Sequence, residues 1–372
     1  MTGAAVLALA ACDRNQAPSG PQTTSTQSAS VPAAAAKGEA VSSLTPLSAR
    51  PDDRAFRDWR VTCDNGALCT AFAPSLEPDA GWLKLSLSPE AHAAPAISLG
   101  IWSPGDAAPS AQAPLTLTID GRNFTAERII DADPPSARIA GPDVAPIVRA
   151  LASGKTAVVA FGKQKVTLSL RGAAAAMLFI DERQGRLETP NALVRVGDQP
   201  SRVRPPDLPQ VVAAPLVDQS GFGSENPKLP AALEGLQSVR ACRSETSWNE
   251  YVGKETFSAR LGPQQELWGV PCFAGAYNIG YRVFVTGPNG RDPMPVAFPQ
   301  AMGGVAEDAV NAVYDPRTRT LSAFNKGRGL GDCGIAQTWT WTGQAFVLKS
   351  QQEMSDCRGV SPDQWPSRWR SR

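Results

Sequence analysis

Gly327-Arg328-Gly329-Leu330-Gly331-Asp332-Cys333-Gly334 runs through Ile335 into Trp339-Thr340-Trp341, and the pairing of this stretch decides the fold class. Four glycines, one charge of each sign and a cysteine mark a tight corner, and the tryptophans that follow mark a strand. Thr342-Gly343-Gln344-Ala345 turns that strand into a hairpin, because glycine stands first in a two-residue loop, as a type II′ turn requires. The register then sets Trp341 against Phe346 and Trp339 against Leu348. Two large cross-strand pairs on one face mark a core, each contributing roughly 0.2–1 kcal/mol beyond an Ala pair. Alternation carries Cys333 onto the face of Ile335, Trp339 and Trp341. An uninterrupted hairpin places Met354 opposite Cys333, three residues short of Cys357, so the second strand must bulge or end before those cysteines can join.

Upstream of the corner the pattern stays extended. Leu267–Cys272 and Ala276–Val285 read as strands, as do Val310–Tyr314 and Thr320–Lys326, the last two joined through Asp315-Pro316-Arg317-Thr318 with proline at the favoured second turn position. Leu229-Pro230 opens one helix in which Leu233, Leu236 and Val239 face inward, ending near Cys242. These elements make residues 231–372 a C-terminal β domain. Residues 197–230 hold seven prolines and few large apolar residues, the composition of a semi-rigid spacer.

Residues 51–196 read as a second β domain. Val61–Cys69 is a hairpin whose Asn65-Gly66 dipeptide suggests a two-residue turn, but such a turn sends Cys63 and Cys69 to opposite faces. Direct pairing of the two cysteines requires a three- or five-residue loop centred on Gly66. Leu83, Leu85 and Leu87 alternate with polar residues, and Leu115–Ile119 runs into Asp120-Gly121, a turn that places Leu117 opposite Phe124. Val144, Ile147, Val148 and Leu151 have helical spacing between Asp143 and Gly154; Thr156–Phe161 and Val166–Leu170 pair across Gly162-Lys163, and Ala173–Ile180 forms a short helix over a sheet end. The fold class is therefore mainly β: two disulfide-stapled antiparallel domains, the first sandwich-like, with a few short helices.

Seven cysteines are present. Leu9-Ala10-Ala11-Cys12 closes a short apolar run and reads as a bacterial lipobox, so residues 1–12 are a signal remnant with lipobox, cleaved before Cys12, which becomes the lipidated N-terminus and membrane anchor. Met1 to Leu9 carries no Lys or Arg, so the true translation start is expected upstream. Residues 13–50, rich in Gln, Ser, Thr, Pro and Ala, are a tether too poor in apolar bulk to fold. The remaining six cysteines allow 15 connectivities in an oxidising compartment, and their spacing selects Cys63–Cys69, Cys242–Cys272 and Cys333–Cys357.

Net charge is +1, which gives no electrostatic footprint for nucleic acid. One histidine, His92, and no GxSxG or CxxC leave no nucleophilic triad, and neither a metal nor a cofactor is expected. The glycine corner with Arg328 suits an anion, whereas a tight connection with Asp332 capping its own turn suits a fold. The tail carrying Trp365 and Trp369 is expected to pack its rings and leave Arg368, Arg370 and Arg372 in solvent. Carboxylate pairs such as Asp131/Asp133 and Asp181-Glu182 are the material for glycan hydrolysis.

Two resemblances follow from these residues. Asp58-Trp59 with Cys63 and Cys69, Ile119-Asp120-Gly121 and Leu168-Ser169-Leu170-Arg171-Gly172 resemble the invasion-associated locus B proteins, which are exported and sandwich-like. Cys272-Phe273-Ala274-Gly275-Ala276-Tyr277-Asn278, the 327–334 corner, Trp339 and Trp341, Cys357 and Trp365-Pro366-Ser367-Arg368-Trp369-Arg370 resemble the family known as domain of unknown function 1176. That resemblance implies an envelope protein and no activity. Tyr277 and Asn278 join Arg328 and Asp332 as candidate binding residues. The expected function is a periplasm-facing lipoprotein, anchored in the inner or outer membrane, whose non-catalytic domains bind an envelope protein or polymer. An inhibitor of a cell-wall hydrolase such as lysozyme, and a carboxylate-dependent glycan or peptidoglycan hydrolase, are the alternatives.

Overall fold

The computed structural model describes residues 50–76, 81–102, 114–126, 128–132 and 135–372. Cys12 and the expected tether up to residue 49 lie outside the described residues, as does Asp133. In the N-terminal half the strands are β1 (Asp52–Phe56), β2 (Trp59–Cys63), β3 (Cys69–Pro74), β4 (Gly81–Leu87), β5 (Ala96–Ile101), β6 (Leu115–Ile119), β7 (Arg122–Thr125), β8 (Arg128–Ala132) and β9 (Pro135–Ile139). Helix α1 (Val144–Ser153), β10 (Thr156–Phe161), β11 (Gln164–Ser169) and helix α2 (Ala173–Arg183) complete it. One antiparallel sheet has the order β1-β2-β3-β4-β5-β9-β8 and the other β11-β10-β6-β7. Leu83, Leu85 and Leu99 from the first sheet meet Leu117, Val159 and Leu168 from the second in one core, which Ile147 and Met177 close from the helices. Each such side chain contributes about 1.5–3 kcal/mol by leaving water.

Local chemistry accounts for the turns. Asp120 and Gly121 both take positive φ, 43° and 86°, and Leu117 stands opposite Phe124. Cys63 pairs directly with Cys69 across a five-residue loop, and Ala67, not Gly66, takes the left-handed position at φ 58°. The two motifs of the N-terminal resemblance touch: the Trp59 indole donates to the Ser169 carbonyl at 2.9 Å, and the Ser169 hydroxyl donates to Asp58 at 2.5 Å.

The C-terminal half opens with helices α3 (Ala231–Glu234), α4 (Gln237–Thr246) and α5 (Glu250–Gly253). Its strands are β12 (Phe257–Gly262), β13 (Gln265–Ala274), β14 (Ile279–Thr286), β15 (Met294–Pro295), β16 (Phe298–Pro299), β17 (Val305–Ala306), β18 (Asp308–Val310), β19 (Val313–Asp315), β20 (Thr320–Lys326), β21 (Gly334–Trp341), β22 (Phe346–Met354) and β23 (Ser367–Arg370). The sheet β12-β13-β14-β15, with β18 also on β14, faces the sheet β19-β20-β21-β22-β23. Leu267, Tyr281, Val283, Trp339 and Trp341 fill the space between them. On the other face of β13 and β14, Trp268, Val270 and Phe284 are covered by Leu233, Val239 and Cys242 from the helices.

The opening hairpin keeps its register at Trp341–Phe346 and Trp339–Leu348, then shifts by one residue past Thr338, and β22 ends at Met354. The chain both bulges and ends, which lets Cys333 reach Cys357; the other bridges are Cys63–Cys69 and Cys242–Cys272.

Several expectations need correction. The helix from Leu229 is two helices, because the chain leaves helical geometry at Leu236, and it runs past Cys242 to Thr246. Val310–Tyr314 is broken at Asn311, which takes φ 48°, so that β18 pairs with one sheet and β19 with the other. Cys333 does not join Trp339 and Trp341; it lies in a separate cluster with Phe72, Trp82, Met354, Val360 and Trp365. Gly334, at φ 137°, breaks the alternation there. Residues 201–217 form no free spacer. Leu208, Val211, Ala214 and Val217 are half-buried at intervals of three, the repeat of a polyproline II chain, and the Val211 and Ala214 amides donate to Arg372 and Trp341 carbonyls at 2.8 and 2.9 Å.

Arg372 is exposed as expected, but Arg368 and Arg370 are not left in solvent. Arg370 pairs with Asp64, whose side chain is 0% exposed, and Arg368 bridges Asp53 at 2.8 Å and Glu353 at 3.2 Å. Asn65 closes the contact: its amide donates to the Arg370 carbonyl at 2.8 Å and accepts from the Arg370 amide at 2.7 Å. Thus Asn65-Gly66 serves as a clasp for β23, and a Cβ on Gly66 would fall 2.7 Å from both Leu208 and Arg370 side-chain atoms. Lys84 adds bonds to the Gln364 carbonyl and side chain at 2.9 and 2.8 Å, and the Trp82 indole donates to Gly359 at 3.3 Å. The two β halves are joined along a buried seam.

Candidate functional site

The structure brings all four candidate binding residues to one corner and uses them there. Arg328 directs its guanidinium fork onto Asp332 at 2.7 and 2.6 Å, and the Gly359 amide donates to the same carboxylate at 2.6 Å. Burial opposes ionisation of Asp332, yet Arg328 and Gly359 together hold its carboxyl below the usual range. The Asn278 side chain pairs with both main-chain groups of Lys326, donating at 2.9 Å and accepting at 3.1 Å, much as Asn65 holds Arg370. The Tyr277 hydroxyl donates to the Gly327 carbonyl at 3.3 Å. Asp332, Cys333 and Cys357 are close enough to share a metal ion, but both sulfurs are consumed in their disulfide. This is chiefly an architectural corner.

Asn311, which the sequence reading passed over as a strand residue, is its hub. The amide accepts from Ile279 at 2.9 Å and donates to Phe324 at 2.8 Å and to the Asn278 side chain at 2.9 Å. In the carboxylate pair Asp181-Glu182, Glu182 is exposed and Asp181 is occupied with folding. Asp181 is fully buried and accepts from the Leu193 and Val194 amides at 2.8–3.0 Å; desolvation raises its carboxyl above the usual range against those bonds. His92, at the surface, sits 3.4 Å from Asn191.

A different feature has the shape of a binding site. A cleft of about 710 Å³ opens between the loop at residues 223–226, α5 and the residues after it, β12, β14 and the start of β19. That volume lies in the range of small-ligand pockets, about 300–1,000 Å³. Tyr251, Tyr281 and Tyr314 line it with Phe257. The chain has only four tyrosines, so three of them converge on one cavity. Phe257 and Tyr281 meet with ring centroids 5.4 Å apart. Burial, with Glu255 alongside, pushes the Tyr281 phenol up to about 12, so it remains a neutral donor. The Tyr314 hydroxyl is buried without a hydrogen-bond partner among the described residues.

The walls are held before any ligand arrives. Cys242–Cys272 ties α4 to β13, and Arg243 donates to Gly253 at 2.5 Å and to Thr256 at 3.3 Å. Asn249 caps α5, accepting from the Tyr251 and Val252 amides at 3.0 and 3.3 Å. Trp248 and Tyr251 stand 65% and 83% exposed on this rigid segment. One weak signal for the cleft was legible: Tyr251 stands in the largely polar run Ser247-Trp248-Asn249-Glu250-Tyr251. Convergence of Tyr281 and Tyr314 depends on long-range pairing and had no local signature.

The chain is 28% identical over 348 residues to the uncharacterized protein YpfG of Escherichia coli (strain K12), a match covering 87% of this chain and 94% of that one. The crystal structure of invasion associated protein B from Bartonella henselae is similar at a TM-score of 0.28 and 14% identity, over 36% of this chain and 98% of its own. The family model described as protein of unknown function (DUF1176) matches residues 53–372, and the chain belongs to that family.

Proposed function

We propose that the protein is an exported, lipid-anchored module of the cell envelope that binds an envelope polymer or protein segment in the tyrosine cleft without chemical conversion. The observation that carries this reading is the convergence of three of the four tyrosines, with Phe257, on one preorganised cavity. Aromatic residues give large contact area at low entropic cost, and a wall pinned by a disulfide and an arginine loses little freedom on binding. Three disulfides support an oxidising address, and Leu9-Ala10-Ala11-Cys12 supports the anchor. No helix among the described residues is long and apolar enough to cross a membrane, so the lipid on Cys12 is the proposed attachment.

A photo-crosslinking residue at Tyr251 in intact cells is the direct test. Capture of a defined envelope component there, but not from a probe at exposed Asn191, is the expected result; equal or no capture at both positions overturns the reading. Labelled fatty acid should enter the wild-type chain and not Cys12→Ser. A second reading rests on Glu225 and Glu255, which both line the cleft, and makes it a glycan hydrolase. Release of reducing ends from cell-wall glycan by the wild type and not by Glu255→Gln would establish that reading in place of the first.

A further inference from the structure

We infer that the ligand group held in the tyrosine cleft is an organic ammonium cation, an inference that rests on the cleft being the binding site. Four aromatic rings, from Tyr251, Phe257, Tyr281 and Tyr314, line a single cavity, and each ring face carries the negative side of its quadrupole. The charges around them have the matching sign. Glu225 and Glu255 line the same cavity, and neither makes an ion pair among the described residues. Lys254, the only cation among the described lining residues, pairs with Glu250 four residues earlier. Arg319, whose charge acts on Tyr314, is buried and turns its guanidinium to the main-chain carbonyls of Arg260 and Leu261. Aromatic rings beside two carboxylates without ion-pair partners, with no unpaired cation among the described lining residues, suit an organic ammonium group, which the rings attract through their quadrupole and the carboxylates through its charge. An anion would meet both carboxylates, and a purely apolar ligand would gain nothing from them.

Two sources offer this chemistry: a free alkylammonium compound, and a lysine side chain presented by a peptide. Calorimetric titration of the oxidised full chain with choline, with trilysine and with 3,3-dimethylbutan-1-ol, the neutral isostere of choline, separates them. Choline or trilysine should saturate one site, the tighter of the two naming the source, and the neutral isostere should bind at least about tenfold more weakly than choline. Tyr251→Ser, at a residue 83% exposed and so outside the packed core, should weaken the preferred cation several-fold, and Glu255→Gln should do the same. Circular dichroism of both variants verifies that they are folded. Equal affinity for choline and its isostere, with no binding of trilysine, overturns the cation assignment and leaves the cleft standing as a site. No saturation by any probe, while a crosslinker at Tyr251 still captures an envelope component, likewise overturns the cation assignment alone. Failure of both the probes and the crosslinking overturns the cation and the site together.

Discussion

Asn65→Ala tests whether the clasp between the first hairpin and the last strand holds the two halves together. The wild-type amide makes two bonds to the main chain of Arg370, at 2.8 and 2.7 Å, and is itself 2% exposed. Two net hydrogen bonds are worth about 1 kcal/mol each, whereas a buried main-chain group left without any partner costs about 1–3 kcal/mol. Arg370 is partly open to solvent, so water can satisfy some of what alanine abandons. The expected loss is therefore about 2–4 kcal/mol, a large share of the roughly 5–15 kcal/mol by which a domain is stable. Urea unfolding followed by tryptophan fluorescence measures the loss, with Trp82 and Trp365 of the seam's apolar cluster among the nine tryptophans that contribute. Asn191→Ala, which removes an exposed amide bonded to Ala91 at 3.0 Å, is the control and should cost under about 0.5 kcal/mol. A loss at Asn65 no larger than at Asn191 would refute the clasp.

Three further outcomes are expected. Gly334→Ala places a Cβ 2.0 Å from the Asn325 carbonyl at φ 137°, and should cost more than about 3 kcal/mol or prevent Cys333–Cys357 from forming, as peptide mapping reads; Gly121→Ala, at φ 86° with open space around it, should cost only about 1–2 kcal/mol. Asn311→Ala removes bonds to Ile279, Phe324 and Asn278 from a residue at φ 48°, and an equilibrium unfolding loss of about 2–3 kcal/mol should appear, with a loss under about 0.5 kcal/mol counting against the hub. Lys84 is lowered from 10.5 to about 8 by desolvation, only partly offset by Asp363, so the unfolded chain binds more protons between those values. Stability should thus rise by up to about 3 kcal/mol as pH climbs from 8 towards 10.5, and fall back as pH drops through 8; Lys84→Met should lack this rise, and identical pH profiles would remove Lys84 as its source.

What was legible in the chain was whatever a turn or a parity rule decides locally. Glycine first in Thr342-Gly343-Gln344-Ala345 dictated the pairing of Trp341 with Phe346, and cysteine parity correctly overruled the two-residue turn at Asn65-Gly66. The rest depended on partners distant in sequence. Arg368 and Arg370 look like a solvated tail until Asp53, Glu353 and the buried Asp64 are brought to them. The 201–217 strap reads as a spacer because its period of three matches neither a helix nor a strand, and its partners are the main-chain carbonyls of Trp341 and Arg372. At the corner, the glycines and charges of 327–334 gave the same local signal whether Arg328 served a ligand or Asp332. Only the Asp332 carboxylate, 4% exposed and also bonded to Gly359, decides between those uses.

Asn311 connects that corner to the cleft, and the connection explains why an apparently continuous strand is interrupted. β18 must pair with β14, while β19 must pair with β20 on the facing sheet, so the chain has to cross between sheets within two residues. A regular strand cannot make that crossing, because each sheet demands its own hydrogen-bond direction. The left-handed geometry of Asn311 makes the turn, and its amide satisfies the main-chain groups of Ile279 and Phe324 that the crossing would otherwise leave open. Immediately after it come Ala312, Val313 and Tyr314, one wall of the cleft. The opposite wall is set by Cys242–Cys272 and the Asn249 cap, and the Tyr281 ring on β14 lies between them. A cavity assembled from a sheet-switching kink, a disulfide and a cap cannot be had from any one element, which is a physical reason for the fold to spend a strained asparagine there.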